Sequence, residues 1–256
     1  MTTITATPVL TPPPTITRVW NIVKLHLVNR QTYLGIPWII TGGAWAVSMA
    51  IALIIRSVAS PDDVAKATEG MTNSWAVLSP LWYLCAVGVL AIAQSFPFAL
   101  GFGVTRRDFY LGTSLMFLLS SVGNALLLST LVEIERATNG WGIGGVMFDA
   151  LFFQGQTWIA NVFVFSVIQL AIFFIGACIA TIYMRWRAMG MLIFWLVLAL
   201  VLVGAVALIT LTYSWPAVGG WFAAQGVVGG FAWGLIPVAV AAVTGFFILR
   251  RATPRN

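Results

Sequence analysis

The chain has 256 residues, of which 60% are hydrophobic and only 8% are charged, and its mean hydropathy is +0.97. This composition excludes an ordinary soluble domain and indicates a protein whose main solvent is the bilayer. A bilayer core about 30 Å thick takes roughly 20 apolar residues per helix, so the chain is long enough for several crossings. We therefore predict an all-α integral membrane protein, and we assign the net charge of +6 to membrane topology, not to nucleic-acid binding.

The N-terminal region is predicted to lie outside the membrane core. Residues 1–15 are rich in proline and lack the basic and apolar regions of a signal peptide, which favours a disordered cytoplasmic tail. Residues 16–34 are predicted to form an amphipathic interfacial helix along the inner leaflet, with a cytoplasmic extension of the first span as the alternative. We expect His26 to be solvated within this helix. The predicted apolar stripe consists of Ile16, Val19, Trp20, Val23 and Leu27.

Residues 35–250 are predicted to form a six-span domain, followed by a cytoplasmic tail at residues 251–256. Six apolar stretches are long enough to cross a bilayer, and Pro97 is a candidate kink in the second. An even number of crossings places both termini on the same side. The stretches are residues 36–55, 77–102, 111–132, 157–184, 189–213 and 231–249.

The distribution of charge predicts the orientation, because short loops rich in Lys and Arg remain on the cytoplasmic side. Ten of the 13 basic residues fall on the side that carries both termini, and six of the seven acidic residues fall on the other side. The exceptions are Arg56, Lys66, Arg136 and Asp108. Both termini are therefore predicted to be cytoplasmic.

Three segments on the outer side are too long to be tight turns. Residues 57–76 and 133–156 form long loops, and Glu133 and Glu135 are expected to be surface carboxylates in preference to a buried relay. Residues 214–230 are apolar and rich in Gly and Trp. They form either a hairpin that re-enters the membrane or an interfacial loop anchored by tryptophans, and the sequence leaves both open.

The sequence carries no pattern of an enzyme or a metal site. A single histidine excludes a HExxH site, and neither a GxSxG elbow nor a GxxxxGK[ST] phosphate loop occurs. Cys85 and Cys178 lie in apolar runs without partners at metal-ligand spacing, so we expect neither a disulfide nor a bound metal. No cofactor is expected in this chain.

The six apolar cores contain no Asp, Glu, Lys, Arg or His, although coupling-ion and proton sites of transporters often use one. Transport would then take its energy from a partner, most simply one that hydrolyses ATP. The cores do contain polar side chains that either line a pathway or form interhelical hydrogen bonds. These are Gln94, Ser95, Asn124, Asn161 and Gln169.

A cytoplasmic elbow, residues 97–112 with the sequence PFALGFGVTRRDFYLG, joins the second and third spans. Thr105 followed by Asp108 three positions later matches a capping box and predicts a helix start. Arg106 and Arg107 then project into the cytoplasm. On physical grounds alone, the pattern fits a helix restart that obeys the positive-inside rule.

Residues 103–110, GVTRRDFY, resemble the loop after the second span in bacterial type 2 ATP-binding-cassette export permeases. The layout is similar too, with about 250 residues, an amphipathic N-terminal helix, six spans and an apolar region before the last span. The resemblance implies a permease in the bacterial inner membrane that pairs with a second copy or a homologous permease. It also implies two partner ATPase subunits, which would hold the ATP and Mg.

Carried over to this chain, the resemblance makes Thr105, Arg106, Arg107 and Asp108 the coupling element, with added contacts from Arg18 and Lys24. The chain lacks an extended soluble domain between spans, which favours a small molecule or peptide over a large polymer as substrate. Uncharged cores fit a hydrophobic or amphipathic substrate. The alternative function is a non-transport subunit that scaffolds or anchors a membrane complex.

A glycine ridge predicts a dimer contact. Gly226, Gly230 and Gly234 recur every four residues, which permits close helix approach if the stretch is helical. A flexible glycine-rich turn is the alternative.

Overall fold

The computed structural model describes residues 13–251, and every regular element in that range is helical. The predicted tails, residues 1–15 and 251–256, lie almost wholly outside the described residues. Within the described part, the all-helical class is confirmed, and five helical stretches are long and apolar enough to cross a membrane, which is compatible with a membrane protein. They are Gln31–Val58, Pro61–Gly101, Arg106–Ala137, Trp158–Leu211 and Trp215–Arg250.

The N-terminal helix α1, Thr15–Leu27, is shorter than the predicted interfacial helix. Its first residue follows Pro14, and a turn comes directly after Leu27. A π-helical turn, Gln31–Gly35, then continues into α2, Ile36–Val58. The last residues of the predicted interfacial helix therefore belong to the entry into the first long helix.

Helix α1 packs against α6, Arg106–Ala137, at a glycine. A Cβ added to Gly112 would lie 2.5 Å from the Cβ of Ile22, so only glycine allows this approach. Ile22 and Val23 are buried in the contact. Of the residues in the predicted apolar stripe, Val23 therefore packs against the bundle, whereas Ile16 and Trp20 are exposed.

A surface helix, α3, Pro61–Met71, forms where a long outer loop is predicted. The hydroxyl of Ser60 accepts a hydrogen bond from the backbone N–H of Asp63, which caps the helix start. None of the residues of α3 is buried. The predicted loop is therefore partly an exposed helix.

The next long stretch is interrupted near its end. Helix α4, Leu81–Leu90, passes through a π-helical turn, Ala91–Ser95, into α5, Phe96–Gly101. Pro97 stands at the start of α5 and has no N–H to continue the helical hydrogen bonds. The irregularity predicted at Pro97 therefore takes the form of a π-helical turn immediately before it.

Helix α7, Trp158–Leu211, is broken at Arg187, where φ is 55° and ψ is −149°. At 1.5 Å per residue, a straight helix of this length would reach about 80 Å, far more than the bilayer core of about 30 Å. The break divides α7 into stretches at 158–186 and 188–211, which coincide with the fourth and fifth predicted spans. None of residues 183–211 is buried within the described chain.

Helices α4 and α7 come into backbone contact through a pair of glycines. A Cβ added to Gly88 would overlap the carbonyl oxygen of Phe173, and one added to Gly176 would overlap that of Cys85. Small residues allow this close approach, as they do in many membrane helix pairs.

Two hydrophobic clusters fill the bundle at its opposite ends. We call the end at which α6 starts the elbow end and the end at which α6 finishes the loop end. The elbow-end cluster contains the stacked rings of Phe117 and Phe173, whose centroids lie 4.7 Å apart. The loop-end cluster contains the stacked rings of Phe153 and Phe165, at 3.8 Å. Aromatic packing thus fixes both ends of the bundle.

The loop that follows α6 is folded around the carboxylate of Glu135, which is only 2% exposed. Three consecutive backbone N–H groups donate to it, over distances of 2.9 to 3.2 Å, and the indole N–H of Trp141 adds a fourth donor at 2.9 Å. The prediction of a surface carboxylate is therefore wrong for Glu135. The three backbone donors are those of Met147, Phe148 and Asp149.

The neighbouring Arg136 ties the same loop to the helix end. Its guanidinium pairs with Glu133 at 2.9 Å and with Asp149 at 2.6 Å, and it donates to the backbone carbonyls of Phe153 and Gln156. The side chain of Glu133 is 44% exposed, as expected for a surface carboxylate. Hydrogen bonds and ion pairs therefore hold the loop after α6 against the end of that helix.

The last two helices are α8, Trp215–Trp233, and α9, Leu235–Arg251. Helix α8 is broken at Gly226, where φ is 65° and ψ is −177°, and none of its residues is buried. The segment at residues 214–230 is thus mostly helical on both sides of a glycine break.

Candidate functional site

The elbow is a tight connection between α5 and α6. The backbone N–H groups of Gly103 and Val104 donate to the carbonyls of Leu100 and Ala99, which closes the end of α5. Gly103 has a φ of +78°, a conformation that glycine adopts without strain. This turn places Thr105 directly before the first residue of α6.

The predicted helix cap is present at the start of α6. Thr105 has an extended backbone, and its hydroxyl accepts a hydrogen bond of 3.1 Å from the N–H of Asp108. The carboxylate of Asp108, however, does not complete the capping box. It accepts a bond of 2.8 Å from Nε of Arg18 on α1.

The Arg18–Asp108 pair changes the predicted coupling surface. The Asp108 side chain is only 3% exposed, whereas that of Arg18 is 36% exposed. Arg18 also donates to the carbonyl of Pro13 and to the hydroxyl of Thr15. Two residues predicted to contact a partner protein thus bind each other, and together they fasten α1 to the start of α6.

The two arginines of the elbow have different surroundings. Arg106 is half-buried, and its Nη1 donates to the backbone carbonyl of Arg250 at the end of α9, over 2.9 Å. Arg107 is exposed and has no ion-pair partner within residues 13–251. Arg106, Arg107 and Arg250 line a cleft of about 500 Å³ together with Phe246. The elbow is therefore connected to both α1 and α9.

Lys24 is an exposed cation on the same helix as Arg18. The two lie six positions apart, which corresponds to about 9 Å along the helix axis. Lys24 has no ion-pair partner among the residues that the structure describes. Of the six predicted coupling residues, Arg107 and Lys24 are therefore the exposed cations that have no ion-pair partner within residues 13–251.

Two of the predicted pathway residues share a cavity. Asn124 and Gln169 line a space of about 10 Å³ beside Trp38, whose indole N–H donates to Oδ1 of Asn124 over 3.1 Å. That volume is about the size required for one water molecule. The Nδ2 of Asn124 and both amide atoms of Gln169 are buried with no hydrogen-bond partner in the described chain.

The other three pathway candidates lie apart from this cavity. Asn161 is fully buried, and neither of its amide atoms has a partner in the described chain. Gln94 is exposed and Ser95 is half-buried, both within the π-helical turn before α5. The structure therefore brings together two of the five residues predicted to line a pathway.

The predicted glycine ridge is not continuous. The backbone leaves the helical conformation at Gly226, and Gly234 caps the end of α8. A Cβ added to Gly226 would meet nothing within 4 Å, and one added to Gly230 would meet only Phe222, at 4.0 Å. Within the described chain, the space beside Gly226 and Gly230 is open. A dimer contact at these glycines stays a prediction.

His26 has a role that the sequence prediction missed. It is only 5% exposed, and its two ring nitrogens are bonded to the hydroxyls of Thr113, at 2.9 Å, and Tyr33, at 3.0 Å. Burial lowers the pKa of His26 from 6.5 to about 4, so the ring is neutral at physiological pH. The prediction of a solvated histidine is wrong, although its helical spacing from Val19 and Val23 could have placed it on the packed face.

No protein-family model, no curated protein and no solved structure matches this chain. The functional interpretation therefore depends on the sequence patterns and on the contacts described above. Among these, the elbow is the segment in which a capped helix start, two anchoring contacts and an exposed cation occur together.

Proposed function

We propose that the chain is the membrane-spanning permease subunit of an ATP-binding-cassette exporter in a bacterial inner membrane. Six crossings fit the five long helical stretches if α7 crosses twice, with Arg187 between the two passages. The helix ends that carry most of the Lys and Arg residues then lie on the cytoplasmic side, together with both termini. The glycine break in α8 fits a hairpin that re-enters the membrane from outside.

The observation that carries this proposal is the anchored elbow. Thr105 caps the start of α6, Asp108 pairs with Arg18 on α1, and Arg106 bonds to the end of α9. A helix start that is fixed at three points conveys a push from a cytoplasmic partner and does not absorb it. The elbow is therefore suited to pass motion of an ATPase into α6.

The exposed guanidinium of Arg107 and the ammonium of Lys24 are the proposed contacts with that ATPase. Arg107 can form paired hydrogen bonds with a carboxylate on a docked subunit, and Lys24 adds a point charge. Arg18, Arg106 and Asp108 contribute by holding the start of α6 against α1 and α9. The ATPase subunit supplies the ATP and Mg sites, and a second permease copy or a homologous permease completes the pathway.

A hydrophobic or amphipathic small molecule or peptide is the proposed substrate class. The long helices carry little charge, and their buried polar groups include the amides of Asn124, Asn161 and Gln169. Such groups are able to orient a substrate without attracting a charged one.

Copurification from the native cell tests the proposal. We expect an ATPase bound at one copy per permease, with hydrolysis that depends on the permease. A partner without a phosphate-binding loop would instead favour the scaffold function.

The elbow is tested by Arg107→Ala, with Arg30→Ala as a matched control, since Arg30 is also exposed and lies on the same predicted side. Loss of a charge-assisted contact worth about 1.5–3 kcal/mol should weaken ATPase binding roughly 10- to 100-fold. Arg107→Lys, which keeps the charge but loses the planar fork, should be intermediate. Normal ATPase binding by a correctly inserted Arg107→Ala protein would contradict the coupling assignment.

A further inference from the structure

The cleft between the start of α6 and the end of α9 concentrates positive charge. Its lining consists of Arg106, Arg107, Arg250 and Phe246, and it encloses about 500 Å³. Three arginines thus line one space, and no Asp or Glu of residues 13–251 lines it. Like charges at short range repel one another, so an anion in the cleft would be bound favourably.

The nearest carboxylate in the sequence is not available to neutralise these arginines. Asp108 is buried and paired with Arg18. None of the three arginines of the cleft has an ion-pair partner within residues 13–251. The positive charge of the cleft is therefore uncompensated by the described part of the chain.

The walls of the cleft are held in place by contacts between α6 and α9. Arg106 donates to the backbone carbonyl of Arg250 over 2.9 Å, and the hydroxyl of Tyr110 donates to the carbonyl of Ala242. Gly245 packs directly against the Tyr110 ring, since a Cβ there would lie 3.1 Å from the hydroxyl oxygen. A preformed cleft binds a ligand without the cost of ordering its walls.

We propose that this cleft binds the phosphodiester headgroup of an anionic membrane lipid. Guanidinium groups match the oxygens of a phosphate, and basic pockets at the ends of membrane helices are suited to lipid headgroups. Both Arg106 and Arg250 stand at the ends of helices that are long and apolar enough to cross a membrane. The cleft therefore lies at the depth of the headgroups.

The apolar surface beside the cleft favours a lipid over free phosphate. Phe246 forms one wall, and its sequence neighbours Val243 and Phe247 on α9, which line a separate cleft, are 55% and 56% exposed. Acyl chains of a lipid held by its phosphate would cover this surface. The inference goes beyond the proposed transport function, because it requires only that α6 and α9 cross the membrane and needs no ATPase. Arg107 is also the proposed ATPase contact, so lipid binding is measured on the permease alone.

Binding of phosphatidylglycerol to the purified full-length protein tests the inference. Protein in mixed micelles is titrated with phosphatidylglycerol or phosphatidylcholine, and the bound lipid is counted by native mass spectrometry. We expect phosphatidylglycerol to bind at least tenfold more tightly than phosphatidylcholine. Equal affinity for the two lipids would overturn the proposal, as would release of phosphatidylglycerol by inorganic phosphate at the same concentration, which would assign the cleft to free phosphate.

Variants locate the binding to this cleft. Arg250→Gln and Arg107→Gln should each lower the affinity for phosphatidylglycerol roughly tenfold, the effect of losing one charge-assisted contact of about 1.5 kcal/mol. Arg30→Gln removes the same charge away from the cleft and should leave the affinity unchanged. Arg107 is exposed, so its variant folds even if Arg250→Gln does not. Equal affinities in Arg107→Gln and Arg30→Gln would overturn the proposal, whether or not an ATPase copurifies.

Discussion

At the scale of single residues, the buried His26 makes the stability of the protein depend on pH. Its pKa is about 4 in the folded protein and about 6.5 in an unfolded chain, so the unfolded chain binds protons more readily between these values. The free energy of unfolding should therefore fall as the pH is lowered from about 6.5 toward 4, by on the order of 3 kcal/mol at most.

His26→Gln isolates this effect, because glutamine keeps a polar side chain but does not titrate. The thermal midpoint of the detergent-solubilised variant should fall less steeply than that of the original protein between pH 6.5 and 4.5. Carboxylates titrate in both proteins, so their contribution cancels in the difference. Parallel curves would show that His26 does not carry the pH dependence.

Glu135 is the residue that we expect to matter most at the loop end. Glu135→Gln removes the charge and half of the acceptor oxygens from a cluster of four N–H donors. We expect a loss of about 2–3 kcal/mol in unfolding free energy, measured by SDS titration in mixed micelles. The control, Glu133→Gln, affects a half-exposed ion pair and should cost less than about 1 kcal/mol.

The sequence predicts contacts between residues that are close along the chain, but not contacts between residues that are far apart along it. The cap of Thr105 on the N–H of Asp108 depends on residues three positions apart, and the sequence predicted it. The bond between Arg18 and Asp108 joins residues 90 positions apart. A single sequence records which side chains are polar but not which of them meet after folding, so it does not distinguish an Arg18 that binds Asp108 from one that contacts a partner protein.

At the scale of helices, the contact between α4 and α7 depends on glycine. Gly176→Ala would push a methyl group into the Cys85 carbonyl, and such overpacking costs about 1–3 kcal/mol. A Cβ at Gly204, on the same helix, would meet nothing within 4 Å, so Gly204→Ala serves as the matched control. Thermal midpoints in detergent should fall for Gly176→Ala alone; equal midpoints would show that α4 and α7 can separate without cost.

Hydropathy predicted the positions of the long helices because it reports the surrounding solvent. The first predicted span begins at the same residue as α2, and the third lies wholly inside α6. Hydropathy does not report backbone irregularities or local capping. Hydropathy therefore does not predict the π-helical turns, the surface helix α3 or the folded loop around Glu135.

At the scale of the whole molecule, the charge distribution predicts that both termini are cytoplasmic. Ten of the 13 basic residues lie on the side of the termini in the proposed topology. An affinity tag at either end should react with an impermeant reagent only after the cells are permeabilised. Labelling of only one end in intact cells would require an odd number of crossings. Labelling of both ends would show that the orientation is the reverse of the predicted one.

The two halves of α7 differ in what surrounds them. The first half packs against other helices of the chain, and the second half has a surface that is left for lipid or for another protein. Residues 183–211 have no buried side chain, whereas Phe173 on the same helix is fully buried. Substitution of each position by every amino acid would therefore show two patterns of tolerance. Uniform acceptance of any apolar side chain along residues 188–211 would indicate that lipid covers this stretch on all sides. One intolerant position in every three or four would show that another protein chain lies against it.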